Sequence, residues 1–179
     1  SKNIRLYHWW ATDGDTAAIQ TYLRDFGASK LEGASGRAML RASIAAGRAY
    51  LALARRDTAS AVRQLLTTPD TLHECWYDTR LTLVQLLIAT GRSREAAGRL
   101  ERRWPGTSAC SNGIDDVVWT MERARVFERL GRHAEAAANY AFVADAWHTA
   151  DAELQPWVRE AHDALARLRT RKTRLVARR

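Results

Sequence analysis

Apolar residues recur along this chain at offsets of three and four, the mark of one helical face, and each run stops at a small or charged break. The clearest stretch runs from Trp119 to Trp147. Ala124 and Phe127 share a face ahead of Leu130-Gly131-Arg132, and Ala136, Tyr140 and Val143 share one behind it. Glycine tolerates the left-handed backbone that ends a helix, so the chain can reverse there. Small Ala124 and Ala136, each with an aromatic about one turn on, let two helix backbones approach and interlock.

The same pattern extends over the whole chain. Residues 4–11 form the end of a first helix, Thr12-Asp13-Gly14-Asp15 a turn, and 16–26 a second helix with Ile19, Leu23 and Phe26 inward. A polar connector leads to a helix from about 36 to 54, with Leu40, Ile44, Ala49, Leu51 and Leu53 as burial candidates. Asp57 or Thr58 caps the next helix, 58–67, which points Ala61, Leu65 and Leu66 inward and ends at Pro69-Asp70. A helix over 75–90, a Gly91-Arg92 turn and a Ser93-capped helix to 103 follow, closed by Trp104-Pro105-Gly106. Asp115 or Asp116 starts the next helix, where acid suits the positive end of the helix dipole. The last helix begins near Asp151 or Glu153, with Pro156 in its first turn, and has no partner behind it, as a capping helix would.

These elements predict an all-α chain of four helix-turn-helix units, about 1–27, 36–68, 75–105 and 115–147, with a cap over 152–170. A single domain to residue 170 and a basic tail over 171–179 are expected. Inner turns fall at Gly14, Arg56, Gly91 and Gly131, spaced by 42, 35 and 40 residues.

A small residue and an aromatic on one helix, a glycine, then Ala-x3-aromatic on the next resembles the tetratricopeptide repeat, whose ideal length is about 34 residues. The likeness is closest at 84–103 and 124–143 and looser toward the start. It implies a right-handed α-α superhelix, a solenoid whose first helices line a concave, partner-binding face. Counting back from the turns, the resemblance puts Tyr50, Asp78, Gln85, Met121, Arg125, Glu128 and Arg129 on or near that face. The family's chaperone-binding members grip a carboxylate with Lys and Asn, but the matching places here hold Ala46, Tyr50, Thr82, Val118 and Glu122. The run from Trp119 through LQPWVREAHDALARL is similar to C-terminal repeat regions of large bacterial Ser/Thr kinases and transcriptional regulators. The implied function is a non-catalytic module that binds a protein or peptide. Alternatives are a regulatory domain sensing a small ligand between repeats, nucleic-acid contact through the tail, and self-association as a homodimer through the first repeat.

Composition changes this picture in few places. Hydrophobic residues make up 46% and charged residues 27%, with three prolines and little Val or Ile, so strand runs are absent. The net charge of +8 is local: residues 167–179 hold seven of the 28 Lys and Arg and no acid. The remainder sets 21 basic against 20 acidic residues, so nucleic acid is not the expected partner of the body. No run approaches the ~20 apolar residues of a membrane span. The chain starts at Ser1 without Met and reads as a segment cut from a longer protein.

Cys75 and Cys110 stand near the starts of successive units, either as two separate thiols or as a bridge. A cytoplasmic location is expected, and an extracytoplasmic one if they are bridged. The five His show no i, i+4 pairing and no H-E-x-x-H, so neither a metal nor another cofactor is expected. Asp115-Asp116 reads as helix-start acid, and no G-x-S-x-G or kinase signature is present, so no catalytic residues are assigned. The seven Trp sit mostly at helix ends, where packing between repeats is the plain role and partner anchoring the sharper one.

Overall fold

The structure is a computed structural model that describes residues 6–30, 32–68, 77–102 and 113–176, with side chains in the last stretch from 116 to 171. Among the described residues it is all-helical, without a strand. The helices are α1 (Leu6–Asp13), α2 (Thr16–Gly27), α3 (Gly33–Ala54), α4 (Thr58–Leu66), α5 (Tyr77–Ala89), α6 (Ser93–Glu101), α7 (Gly113–Arg129), α8 (His133–Ala146) and α9 (Gln155–Val176). They divide into two compact units, Ser1–Ala89 with α1 to α5 and Thr90–Arg179 with α6 to α9. Cys75, Cys110, Trp76, Trp104, His73, Pro69 and the end of the basic tail lie outside the described residues, and with them the question of a bridge.

The turns named from sequence share one backbone device. Gly14, Arg56, Gly91 and Gly131 all have positive φ, between 61° and 77°. Around three of them the next amide reaches back five residues: Asp15 N–H to Trp10 O at 2.8 Å, Asp57 N–H to Ala52 O at 2.9 Å and Arg132 N–H to Phe127 O at 2.9 Å. The positive-φ residue donates three back, as Arg56 does to Leu53 O at 2.8 Å. This Schellman pattern uses up carbonyls that a helix end would leave open. The reversal is so tight that the residue after the left-handed one is already the N-cap of the next helix. Asp15 and Asp57 fill that place and accept from Ala18 and Ser60 amides at 2.9 Å.

The second unit caps differently. Arg92 and Arg132 take the N-cap position, which moves Ser93 one place into α6 and corrects its expected role as cap. Neither arginine caps an amide with its side chain; each instead reaches the glutamate three residues on. Arg92 Nε lies 2.9 Å from Glu95, and Arg132 Nε 2.7 Å from Glu135. Arg132 also pairs with Glu101 at the end of α6 and lies over the Phe127 ring at 3.9 Å. Two other boundaries shift: α7 already starts at Gly113, ahead of Asp115, and α9 only at Gln155. The segment after Trp147 closes as turns through Ala150–Trp147 and Leu154–Asp151 backbone bonds before that helix begins.

Within the first unit α1, α2 and α3 pack on one another, α3 also on α4, and α4 on α5. The expected burial of Leu40, Ile44, Leu51 and Leu53 is only partial. The face of α3 turned inward is made of Ala42, Ser43, Ala46, Gly47, Ala49 and Tyr50. Small residues are needed there because the neighbours come close. A Cβ at Gly47 would stand 2.6 Å from Leu23 Cδ2 and from the Tyr7 ring and hydroxyl. Tyr7 itself is fully buried, with Tyr22 at 5.1 Å edge-on and Tyr50 stacked at 6.0 Å.

In the second unit α7 packs along α8, α6 on α7, and α9 on α8. Ala96, Leu100, Ala124, Phe127, Ala136, Tyr140 and Val143 are buried as the pattern required. Trp119 is buried and donates its indole N–H to Leu100 O at 3.3 Å, while Trp147 meets Trp157 edge-on at 5.9 Å. These tryptophans pack helix against helix within the unit. Trp9, by contrast, is 62% exposed.

Two stability outcomes follow. Gly47→Ala should cost about 1–3 kcal/mol through overpacking, read as a lower urea midpoint with unchanged slope. Arg56→Gly should do the opposite and raise stability by about 1 kcal/mol, because the left-handed conformation strains a residue with a Cβ.

Candidate functional site

The seven residues placed on a binding face by the repeat resemblance have different fates. In the first unit Tyr50 is 1% exposed. Its hydroxyl lies 3.1 Å from Thr82 Oγ1, and Thr82 donates its own proton to Asp78 O at 2.8 Å. Burial pushes the Tyr50 phenol up to about 12, the Thr82 and Thr79 hydrogen bonds pull it down, and the Asp78 carboxylate adds to the rise. Tyr50 is a packing residue that offers no surface to a partner. Asp78 is half-buried, and Gln85 is exposed on α5.

In the second unit Met121 is fully buried and likewise leaves the set of surface candidates. Arg125 is half-buried and holds α9 against α7. Its Nε and Nη2 reach the two Glu160 carboxylate oxygens at 2.7 and 2.6 Å, and its Nη1 reaches Glu122 at 2.8 Å. The guanidinium also lies over the Trp157 ring at 5.0 Å. A bidentate fork with a third acceptor and an aromatic lid is the arrangement that arginine makes and lysine does not. The Arg125 hydrogen bonds hold the Glu160 carboxyl below its ordinary range. Glu128 accepts from the Tyr140 hydroxyl at 2.8 Å and from Arg167 of α9 at 3.5 Å. Burial, with the Glu128 carboxylate adding to it, pushes the Tyr140 phenol up. Arg129 is exposed at the end of α7.

Two of the seven are therefore core, and two more are engaged by the last helix. The chaperone-clamp places Ala46, Tyr50, Thr82 and Glu122 are also buried. A charged peptide end has no access to them.

Sequence reading missed a different surface. A groove of about 500 Å³ opens between α8 and α9. Its α8 wall is His133, Ala134, Ala137 and Ala141; its α9 wall is Leu165 and Leu168, with Arg169 and Arg171 at the edge. Ala134 and Ala141 are exposed and lie on the opposite side of α8 from the buried Ala136, Tyr140 and Val143. Phe142, the next residue round, is 51% exposed. The available signal was a helix with alanines on both faces, since a solvated face ordinarily carries charge.

Among the described residues no group of three His, Cys, Asp or Glu is placed to hold a metal ion, and no helix is long and apolar enough to cross a membrane. Compared with protein-family models, with curated proteins and with solved structures, the chain finds no match.

The Arg125–Glu160 fork makes a pH dependence testable. Glu160 has a lowered folded pKa, so its contribution is present above its ordinary value of 4.5 and is lost as pH falls through the folded value. Glu160→Gln should lower stability at pH 7 by about 0.5 kcal/mol, a small figure because the pair is partly exposed, and should flatten the loss between pH 5 and 3. Melting curves of both proteins across that range read the difference.

Proposed function

We propose that this chain is a non-catalytic protein-interaction module, a repeat array of the tetratricopeptide type built from helix pairs, that binds a protein or peptide partner. The observation that carries the reading is the open, apolar groove between α8 and α9. A contiguous apolar surface on a soluble helical domain is most simply a place where another chain packs. The groove supports protein binding over the sensing of a small molecule, which calls for a concave pocket with a few convergent polar groups. The four like turns and the alanine-aromatic interlock are what a helical repeat would use. They favour a scaffold that presents a preformed surface and so limits the ordering cost of binding.

On this reading the partner surface of the second unit is not the α7 face first expected. Arg125 and Glu128 are already satisfied by α9, Tyr140 and Glu122. Gln85 is exposed on α5, and the exposed Arg129 remains a candidate for polar contacts. A place within a larger bacterial signalling protein stays an expectation of the repeat resemblance.

The test uses a photoreactive residue introduced in turn at Ala141, Gln85 and Arg129, each on an exposed position. Irradiation in cell extract should give a discrete protein adduct from at least one position, competed by unlabelled protein. Absence of any protein adduct at all three, or a tightly held small molecule released on denaturation, would overturn the reading.

A further inference from the structure

The groove between α8 and α9 has a polarity as well as a shape. Its floor is apolar: Ala134, Ala137 and Ala141 on one side, Leu165 and Leu168 on the other. Alanines keep the α8 wall low, so a third helix could lie alongside at close range. Where α9 borders the groove the charge is of one sign. Residues 167–176 carry five Lys or Arg and no acid, and Arg169 and Arg171 stand at the groove itself. The acids of α9, Glu160 and Asp163, come earlier in that helix, and Glu160 is held by Arg125.

Earlier helices show what shape this surface suits. α8 packs along α7 after a tight turn, and α4 along α3 in the same way. In each case a second helix packs on the first. A repeat stack buries its faces by adding neighbours, so the groove has the form of a helix seat.

We propose that this groove docks an acidic amphipathic helix from a partner protein, laying its apolar stripe on Ala134, Ala137, Ala141, Leu165 and Leu168 while its flanking carboxylates face Arg169 and Arg171. This rests on the protein-interaction reading above and names the partner's chemistry. Helix-in-groove docking supplies the apolar contact through anchors spaced three and four apart. The basic edge supplies orientation and a faster encounter. A second copy of this chain fits less well, since a two-fold pairing through the groove would set the same basic edge against itself.

The test is direct binding of a defined probe to the whole chain, read by fluorescence anisotropy. The probe is a labelled helical peptide with a leucine stripe flanked by glutamates; its control carries lysine at every glutamate. The acidic peptide should bind, and more weakly as salt rises from 50 to 300 mM, because the screening length falls from about 14 Å to about 6 Å over that range. The lysine peptide should bind at least about tenfold more weakly, a gap of about 1.4 kcal/mol. Arg169→Glu/Arg171→Glu should reverse that order. Ala141→Glu, which places a carboxylate on the apolar floor, should weaken the acidic peptide about tenfold or more. Both variants change exposed positions, and unchanged helical signal and melting temperature confirm that they fold.

Equal binding of both peptides, or none of either, overturns the proposal. So does displacement of the acidic peptide by phosphatidylglycerol vesicles or duplex DNA at matched charge, which would make the surface a general polyanion site. A dimer that Ala141→Glu dissociates would assign the groove to a second copy. If photo-adducts form from Gln85 or Arg129 while neither peptide binds, the groove assignment fails and the protein-interaction reading stands.

Discussion

The reversal at a left-handed residue governs much of this architecture. Gly14, Arg56, Gly91 and Gly131 each bring the chain round within a residue or two, and at Gly14, Arg56 and Gly131 the amide that follows is spent on the helix behind. Nothing in so short a link can hold two helices apart. The helices on either side of Gly14, Arg56 and Gly131 therefore pack on one another, and their shared faces must carry small residues where backbones approach and large ones beside them. Ala124 with Phe127 and Ala136 with Tyr140 are results of that single restriction. Arg56 shows that the geometry is imposed by the fold and not chosen by glycine alone.

A second consequence concerns charge. The arginines that follow Gly91 and Gly131 cap no amide with their side chains and instead form forks with Glu95 and Glu135. Arg132 joins α6, α7 and the start of α8 through Glu101 and Phe127. Arg125 does the same for α7 and α9 through Glu122, Glu160 and Trp157. Polar residues that looked available for a partner are thus occupied in holding helices of the same unit together. What is left uncovered beside α9 is apolar: the alanine side of α8, with the half-buried Leu165 of α9 next to it.

The helices and their turns were legible because periodicity and left-handed glycine are local signals. Boundaries were less so. Ser93 resembled a cap, but the tightness of the turn gave that place to Arg92. Burial on α3 was misjudged because large aliphatics were weighted over Ala42, Ala46 and Gly47, and the need for small residues is visible only once Tyr7 and Leu23 are in place. The candidate face failed at Tyr50 and Met121 for a related reason. Counting back from a turn gives the side of a helix but not what lies on top of it.

Sequence by itself determined the helical class, the positions of the turns, the inward stripes of α2, α4, α6, α7 and α8, and the gathering of positive charge at the end of α9. Each of these depends on residues within a turn or two of one another. Only the tertiary structure decided which stripe was covered. Arg125 meets Glu160 from 35 residues away, and Glu128 meets Arg167 from 39. Those pairings turn α9 onto α7 and α8, and the same docking leaves the groove beside Ala141 open. Burial is a property of neighbours in space, and no local spacing specifies it.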